Sequence, residues 1–171
     1  MKKILIFTLF IFFYNTQTFA DNPHYLDFKF ILNKSDAGAK SQSFLKKKLE
    51  NGFKNIRDKE KKILEEEKKL IQQKKVLSAD DYKQKVSALR GKVSSLKKER
   101  DSLMQSVAKQ RNKAKDILLQ NLNPIVKDYM KEKNIRVVID KKSILLADES
   151  LDITKNIMDR LNKKLKSIKL D

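Results

Sequence analysis

The sequence predicts a mainly α chain with a small β part: a long antiparallel coiled-coil helical hairpin projecting from a small α+β body. Three observations predict it. The 171 residues include only 3 Gly and 2 Pro, too few turn-formers for an all-β barrel or sandwich, which needs a turn about every dozen residues. Apolar residues recur every seven positions through two long stretches poor in breakers, the mark of paired helices. Strand-like segments rich in aromatic and β-branched residues occur only near the two ends.

The first twenty residues read as a leader rather than as part of the fold. Met1-Lys2-Lys3 is a positive start, and Ile4 to Phe13 is an apolar run interrupted only by Thr8. Thr18-Phe19-Ala20 then fits cleavage after Ala20. The apolar run is about half the roughly 20 residues a membrane-spanning helix needs. The expected mature chain starts at Asp21 and is exported. Removal of Lys2 and Lys3 lowers the formal charge from +18 to +16.

Residues 21–38 open the body. Tyr25-Leu26-Asp27-Phe28 is a strand candidate, Lys29 to Leu32 turns helical, and Asn33 to Gly38 is turn chemistry with Ser35 or Asp36 as a helix cap. Residues 39–121 form the hairpin. In its first helix Leu49, Ile56, Ile63, Leu70 and Leu77 make one apolar seam, while the companion positions are Leu45, Gly52, Lys59, Glu66 and Gln73. So thin a stripe predicts weak closure and flexing arms. Ser78-Ala79-Asp80-Asp81 reads as a break and restart, with the Ser78 side chain accepting from the Asp81 amide.

The second helix has the better seam. It runs Tyr82, Val86, Leu89, Val93, Leu96, Leu103, Val107, Ala114 and Ile117, with Arg100, Gln110 and Asn121 as polar interruptions. Arg100 and Gln110 hint at local loosening. Pro124 is expected to kink or restart the helix. Residues 122–171 then complete the body. Asn134 is the expected terminator. Ile135 to Asp140 and Ile144 to Ala147 read as a β-hairpin around Lys141-Lys142-Ser143. A last helix, capped by Asp152 or Thr154, carries Ile153, Ile157, Leu161 and Leu165 on one face. A body this small sits near the lower limit for independent stability, so burial by self-association is the economical solution.

The order of these elements, with both ends, resembles the Skp/OmpH-like periplasmic chaperones. The residues that carry the resemblance are Tyr25-Leu26-Asp27-Phe28, Ile31-Leu32, Ser35 and Ala37-Gly38 at one end. Asn123-Pro124-Ile125 lies near the top of the returning helix, and Ile135–Asp140, Ala147-Asp148 and Leu151-Asp152-Ile153-Thr154 match at the other end. The resemblance implies a homotrimer in which residues 21–38 and 122–171 are the trimerisation body. It also implies that three helical arms hang from this body around a cavity, and that the cavity holds unfolded outer-membrane proteins without ATP, with export to the periplasm.

Charge supports the arms as the contact surface. Residues 40–121 contain 24 Lys+Arg against 11 Asp+Glu, a net +13 of the mature +16. Basic arms attract acidic polypeptides and anionic head groups over a Debye length of about 8 Å, and lysine stems cover apolar surface. The candidate contacts are Lys46, Lys47, Lys54, Lys61, Lys68, Lys75, Lys83, Arg90, Lys97, Arg100 and Arg111. At the tip, Val76, Leu77 and Tyr82 either touch a client or close the hairpin end, the second role being favoured. Leu26, Phe28, Val137, Ile139, Leu145, Ile157 and Leu161 are read as body core or trimer contacts, with core the favoured role.

Other functions fit less well. No Cys excludes thiol chemistry, Cys-based zinc sites and disulfides. His24, the single His, stands beside the first strand and reads as incidental. Asp27 with Asp140 or Asp148 has no cleft to make a carboxylate pair, and no GxxxxGK[ST] loop is present. The chain is therefore read as not an enzyme, with no cofactor and no metal. A basic nucleic-acid binder is disfavoured by the leader and by helices without interleaved aromatics. Anionic lipid or lipopolysaccharide remains a further partner. The alternative is an exported basic coiled-coil protein with a structural, nucleic-acid-binding or membrane-surface role.

Overall fold

The computed structural model describes residues 22–170, so the expected leader and its cleavage after Ala20 lie outside the described residues. The elements are β1 (His24–Leu26), α1 (Phe28–Lys34), α2 (Asp36–Gln73), α3 (Ala79–Glu132), β2 (Val138–Asp140) and α4 (Thr154–Lys164), with short 3₁₀ turns at Lys141–Ser143 and Glu149–Leu151. At about 1.5 Å per residue, the 38 residues of α2 reach about 57 Å and the 54 residues of α3 about 81 Å.

Local chemistry explains where the helices begin and end. The Asp27 carboxylate accepts the Phe30 amide at 2.7 Å and starts α1. Ser35 ends α1 and caps α2: its N–H donates to the Ile31 carbonyl at 3.0 Å, and its Oγ accepts the Gly38 amide at 3.2 Å. Gly38 is required here because a Cβ would lie 2.1 Å from the Leu32 carbonyl oxygen. The expected cap of α3 is present, Ser78 Oγ accepting from the Asp81 amide at 3.1 Å. Asn134 adopts a left-handed φ of 54° and stops the chain after α3; the Ile135 amide then closes onto the Met130 carbonyl at 2.8 Å.

Pro124 neither breaks nor restarts α3, which runs through it to Glu132. An internal proline costs about 3 kcal/mol, and this one is flanked by Leu118, Leu122, Ile125 and Tyr129, all buried in the body core. Their burial, at about 1.5–3 kcal/mol for each large apolar side chain, outweighs the lost hydrogen bond.

The expected β-hairpin does not form. β1 pairs in parallel with β2, His24 opposite Val138 and Leu26 opposite Asp140, and the whole helical hairpin is the crossover between them. On the far side of β1, Tyr25 bridges to Asp152. After β2 the Asp140 carboxylate accepts the Lys142 amide at 3.2 Å, and the Asp148 carboxylate accepts the Ser150 amide at 2.8 Å. These two aspartate turns wind the chain into 3₁₀ structure, and among the described residues Ile144–Ala147 runs between them without a partner strand. Leu145 is 95% exposed and Val137 is 52% exposed, so neither belongs to the core of the chain.

The core joins Leu26, Ile31, Ala37, four α3 residues, Ile135, Ile153, Ile157 and Leu161. Leu26, Ile157 and Leu161 lie in this core. Phe28 packs against this cluster from a half-buried position, and Ile139 is half-buried. The Asp-Ile-Thr segment ties the chain's two ends together. Asp152 Oδ1 accepts the Thr154 amide at 2.8 Å, Thr154 Oγ1 accepts the Asp27 amide at 2.8 Å, and the Ile153 amide donates to the Tyr25 carbonyl at 2.9 Å. Arg160 clamps α4 to the end of α3 through a bidentate pair with Glu132 at 2.8 and 2.6 Å, its guanidinium lying 4.8 Å from the Tyr129 ring centre.

Candidate functional site: the basic helical arm

The arm is closed by a mixed seam. Ile56, Leu70 and Leu96 are its buried apolar residues outside the root, while Leu49, Ile63, Leu77, Val86, Leu89 and Leu103 are only half-buried. The companion positions that look poor as an apolar seam are bridged across the hairpin instead. Lys59 pairs with Glu99 at 2.6 Å, Glu66 with Lys92 at 2.5 Å, and Lys85 donates to the Gln73 side chain at 3.3 Å. Successive rungs are seven residues apart on both helices, which is the spacing of a coiled-coil register. Gly52 has a different role: a Cβ there would lie 2.4 Å from Leu103 Cδ2, so its lack of a side chain makes room for that leucine.

The polar interruptions of α3 divide. Gln110 is buried, and with Ser106 it accepts from Lys48 Nζ, each at 3.0 Å, so it ties the hairpin rather than loosening it. Arg100 lies exposed, outside the seam, and so does Val93 despite its apolar side chain.

All eleven candidate cationic contacts are exposed. Lys47, Lys54, Lys61, Lys68 and Lys75 recur every seven residues, so they form one stripe along α2. The stripe is offset by two residues from the seam, about 200° around the helix, and therefore faces away from α3. On α3, Lys83, Arg90, Lys97 and Arg111 keep the same spacing, with Met104 in the intervening place. Lys46 makes an i,i+4 pair with Glu50 at 3.8 Å; both groups are exposed, so its contribution to stability is small.

Two apolar residues belong to the α2 stripe, and charge counting alone overlooks them. Leu64 and Ile71 are exposed large hydrophobics. Each lies three and four residues from flanking lysines, giving the order Lys61, Leu64, Lys68, Ile71, Lys75 on one face. The signal that finds them is their seven-residue separation one step beside the Ile63–Leu70 seam. At the tip Val76 is 81% exposed, whereas Leu77 and Tyr82 are half-buried and Lys74 Nζ lies 6.0 Å from the Tyr82 ring centre. The face thus carries Lys61, Lys68 and Lys75 with Leu64 and Ile71 along one side, and the exposed Glu65 among them. It suits a ligand that offers negative charge and apolar surface without fixed geometry. Among the described residues no cluster of three or more His, Asp or Glu could hold a metal ion, and no helix is long and apolar enough to cross a membrane.

Comparison with known proteins now bears on this architecture. The family model described as outer membrane protein (OmpH-like) matches residues 24–161. A crystal structure of a proposed outer-membrane chaperone (OmpH-like) from Caulobacter crescentus superposes with a TM-score of 0.79 at 19% identity, covering 88% of this chain and 90% of that one. That likeness is one of fold: mainly helical, with long helices and a small sheet. No curated protein matches the chain. The match over most of the sequence places the chain in the OmpH-like family.

Proposed function

We propose that this OmpH-like chain is an ATP-independent periplasmic holdase, a homotrimer whose basic arms enclose unfolded outer-membrane proteins and keep them from aggregating. The observation that carries the reading is the α2 face on which Lys61, Lys68 and Lys75 alternate with exposed Leu64 and Ile71. Apolar side chains take up exposed client surface, lysine stems extend that cover, and ammonium groups attract an acidic chain. Many weak contacts on tethered arms give avidity without a defined pocket, which suits a partner with no structure.

Self-association is supported at the other end. β2 has one partner strand among the described residues, leaving its outer edge open, and Val137, Leu145 and Leu146 are exposed beside it or just after it. An open edge with uncovered apolar residues is a surface that pairs with another chain. Three copies would also bring three arms around one space.

The test is light scattering on the mature protein, with and without an outer-membrane β-barrel protein diluted from denaturant, and with no nucleotide. The expected result is three times the protomer mass and suppressed client aggregation. Replacing Leu64 and Ile71 with Ser and Lys61, Lys68 and Lys75 with Glu should abolish most of the suppression while helicity stays unchanged. A monomer that leaves client aggregation untouched overturns the reading.

A further inference from the structure

The chain continues past α4. Leu165 is extended, with φ −131° and ψ 103°, and the segment turns back along the root of the hairpin. The start of this path is fixed by the Asp36 amide, which donates to Asn162 Oδ1 at 2.8 Å. Lys166 Nζ lies 3.1 Å from Asp36 Oδ2 in the first turn of α2, and the Lys166 carbonyl accepts from Lys40 Nζ at 3.0 Å. Ile168 touches two apolar clusters, the body core and a second cluster at the arm root. Leu170 is buried in that second cluster with Leu45, Val107 and Ala114.

The spacings agree with a segment laid alongside α2. From Lys166 to Leu170 an extended chain advances about 13 Å at about 3.3 Å per residue. From Asp36 to Leu45 the helix also rises about 13 Å at about 1.5 Å per residue. The arm and body meet at a vulnerable place: α2 enters the body through the extended Ser35 and a seven-residue helix. A strap across this joint therefore acts on the arm's angle.

We propose that residues 165–170 are a C-terminal brace that pins the hairpin root to the body and sets the arm's direction. Leu165 and Ile168 hold the body end, and Leu170 holds the arm end between α2 and α3. One buried leucine, the half-buried Ile168, one exposed ion pair and one exposed hydrogen bond hold it, far fewer contacts than the body core has, so the brace opens at lower cost. Its release lets the arm swing while the body stays folded.

The test uses the absence of cysteine. Asn156→Cys on α4 and Glu65→Cys on α2, both exposed positions, carry spin labels for electron–electron distance measurement, with labelled protein diluted into unlabelled. Two variants are compared with the parent: termination after Leu165, and Leu170→Asp, which reaches only the arm-root cluster. Both should broaden the distance distribution about twofold and speed amide exchange around Leu45 and Val107 about tenfold, while exchange in β1 and α4 is unchanged in Leu170→Asp. Leu170→Met should restore the parent distribution. If Leu170→Asp leaves the distribution and the root exchange as in the parent, there is no brace. If it loosens the body core to the same degree, the segment is a general part of the fold, and the proposal is likewise overturned.

Discussion

Body and arm hold themselves together by different means. The body gathers eleven buried apolar residues from separate stretches of the chain around one core. The arm beyond its root buries Ile56, Leu70 and Leu96, and fills the remaining seam with rungs such as Lys59–Glu99 and Glu66–Lys92, whose groups stay about half exposed. Burial of apolar surface is the larger stabilising effect, whereas exposed ion pairs contribute little. The ladder therefore sets register and partner choice between the helices more than it adds stability, and leaves the outer face free for cations and uncovered leucine and isoleucine. The arm can be soft while the body is firm.

That contrast can be broken most severely in the body. Ile157→Ala should cost about 2–5 kcal/mol, since its side chain has no exposed surface; chemical denaturation should show a lowered midpoint. Gly38→Ala drives a methyl group into the Leu32 carbonyl and should cost about 1–3 kcal/mol by the same measurement.

Acid probes the body more gently. Burial pushes the Asp152 carboxyl up, but the Thr154 hydrogen bonds and Lys141 outweigh it and hold the group below its ordinary value of 3.8. A lowered carboxyl stabilises the fold above the unfolded pKa, and that stabilisation is lost as pH falls through the lower folded value. Asp152→Asn should therefore flatten the stability profile below about pH 4, with thermal melting across pH 2–6 as the readout.

Arm changes should be smaller. Gly91 has open space around its Cα, so Gly91→Ala should stabilise α3 by about 0.5–1 kcal/mol, raising the melting temperature. Lys92→Ala should cost about 0.2–1 kcal/mol, and the exchange Glu66→Lys with Lys92→Glu should recover it in a double-mutant cycle. A Lys92→Ala loss as large as that of Ile157→Ala would erase the distinction between the two regions.

The legible features were those written in neighbouring residues. The Ser78 cap, the Ser35 junction, the Asn134 stop and the heptad seam each depend on groups within a few positions of one another. The lysine stripe was legible as charge, but Leu64 and Ile71 were hidden in it because an apolar residue one step from a seam looks like part of that seam. Val93 misled in the opposite direction: it keeps the seam's spacing yet lies exposed, since the helices do not close around it.

By itself, the sequence determined the hairpin, its caps and the concentration of positive charge on the arms, because helix period, end capping and side-chain charge are local properties. Only the tertiary structure decided that β1 takes β2 as a parallel partner, that Ile144–Ala147 pairs with no strand among the described residues, and that Leu170 returns to the arm root. Those outcomes rest on competition among segments distant in the chain. A strand-like composition says that a segment can pair, but the packed core and the aspartate turns decide with what.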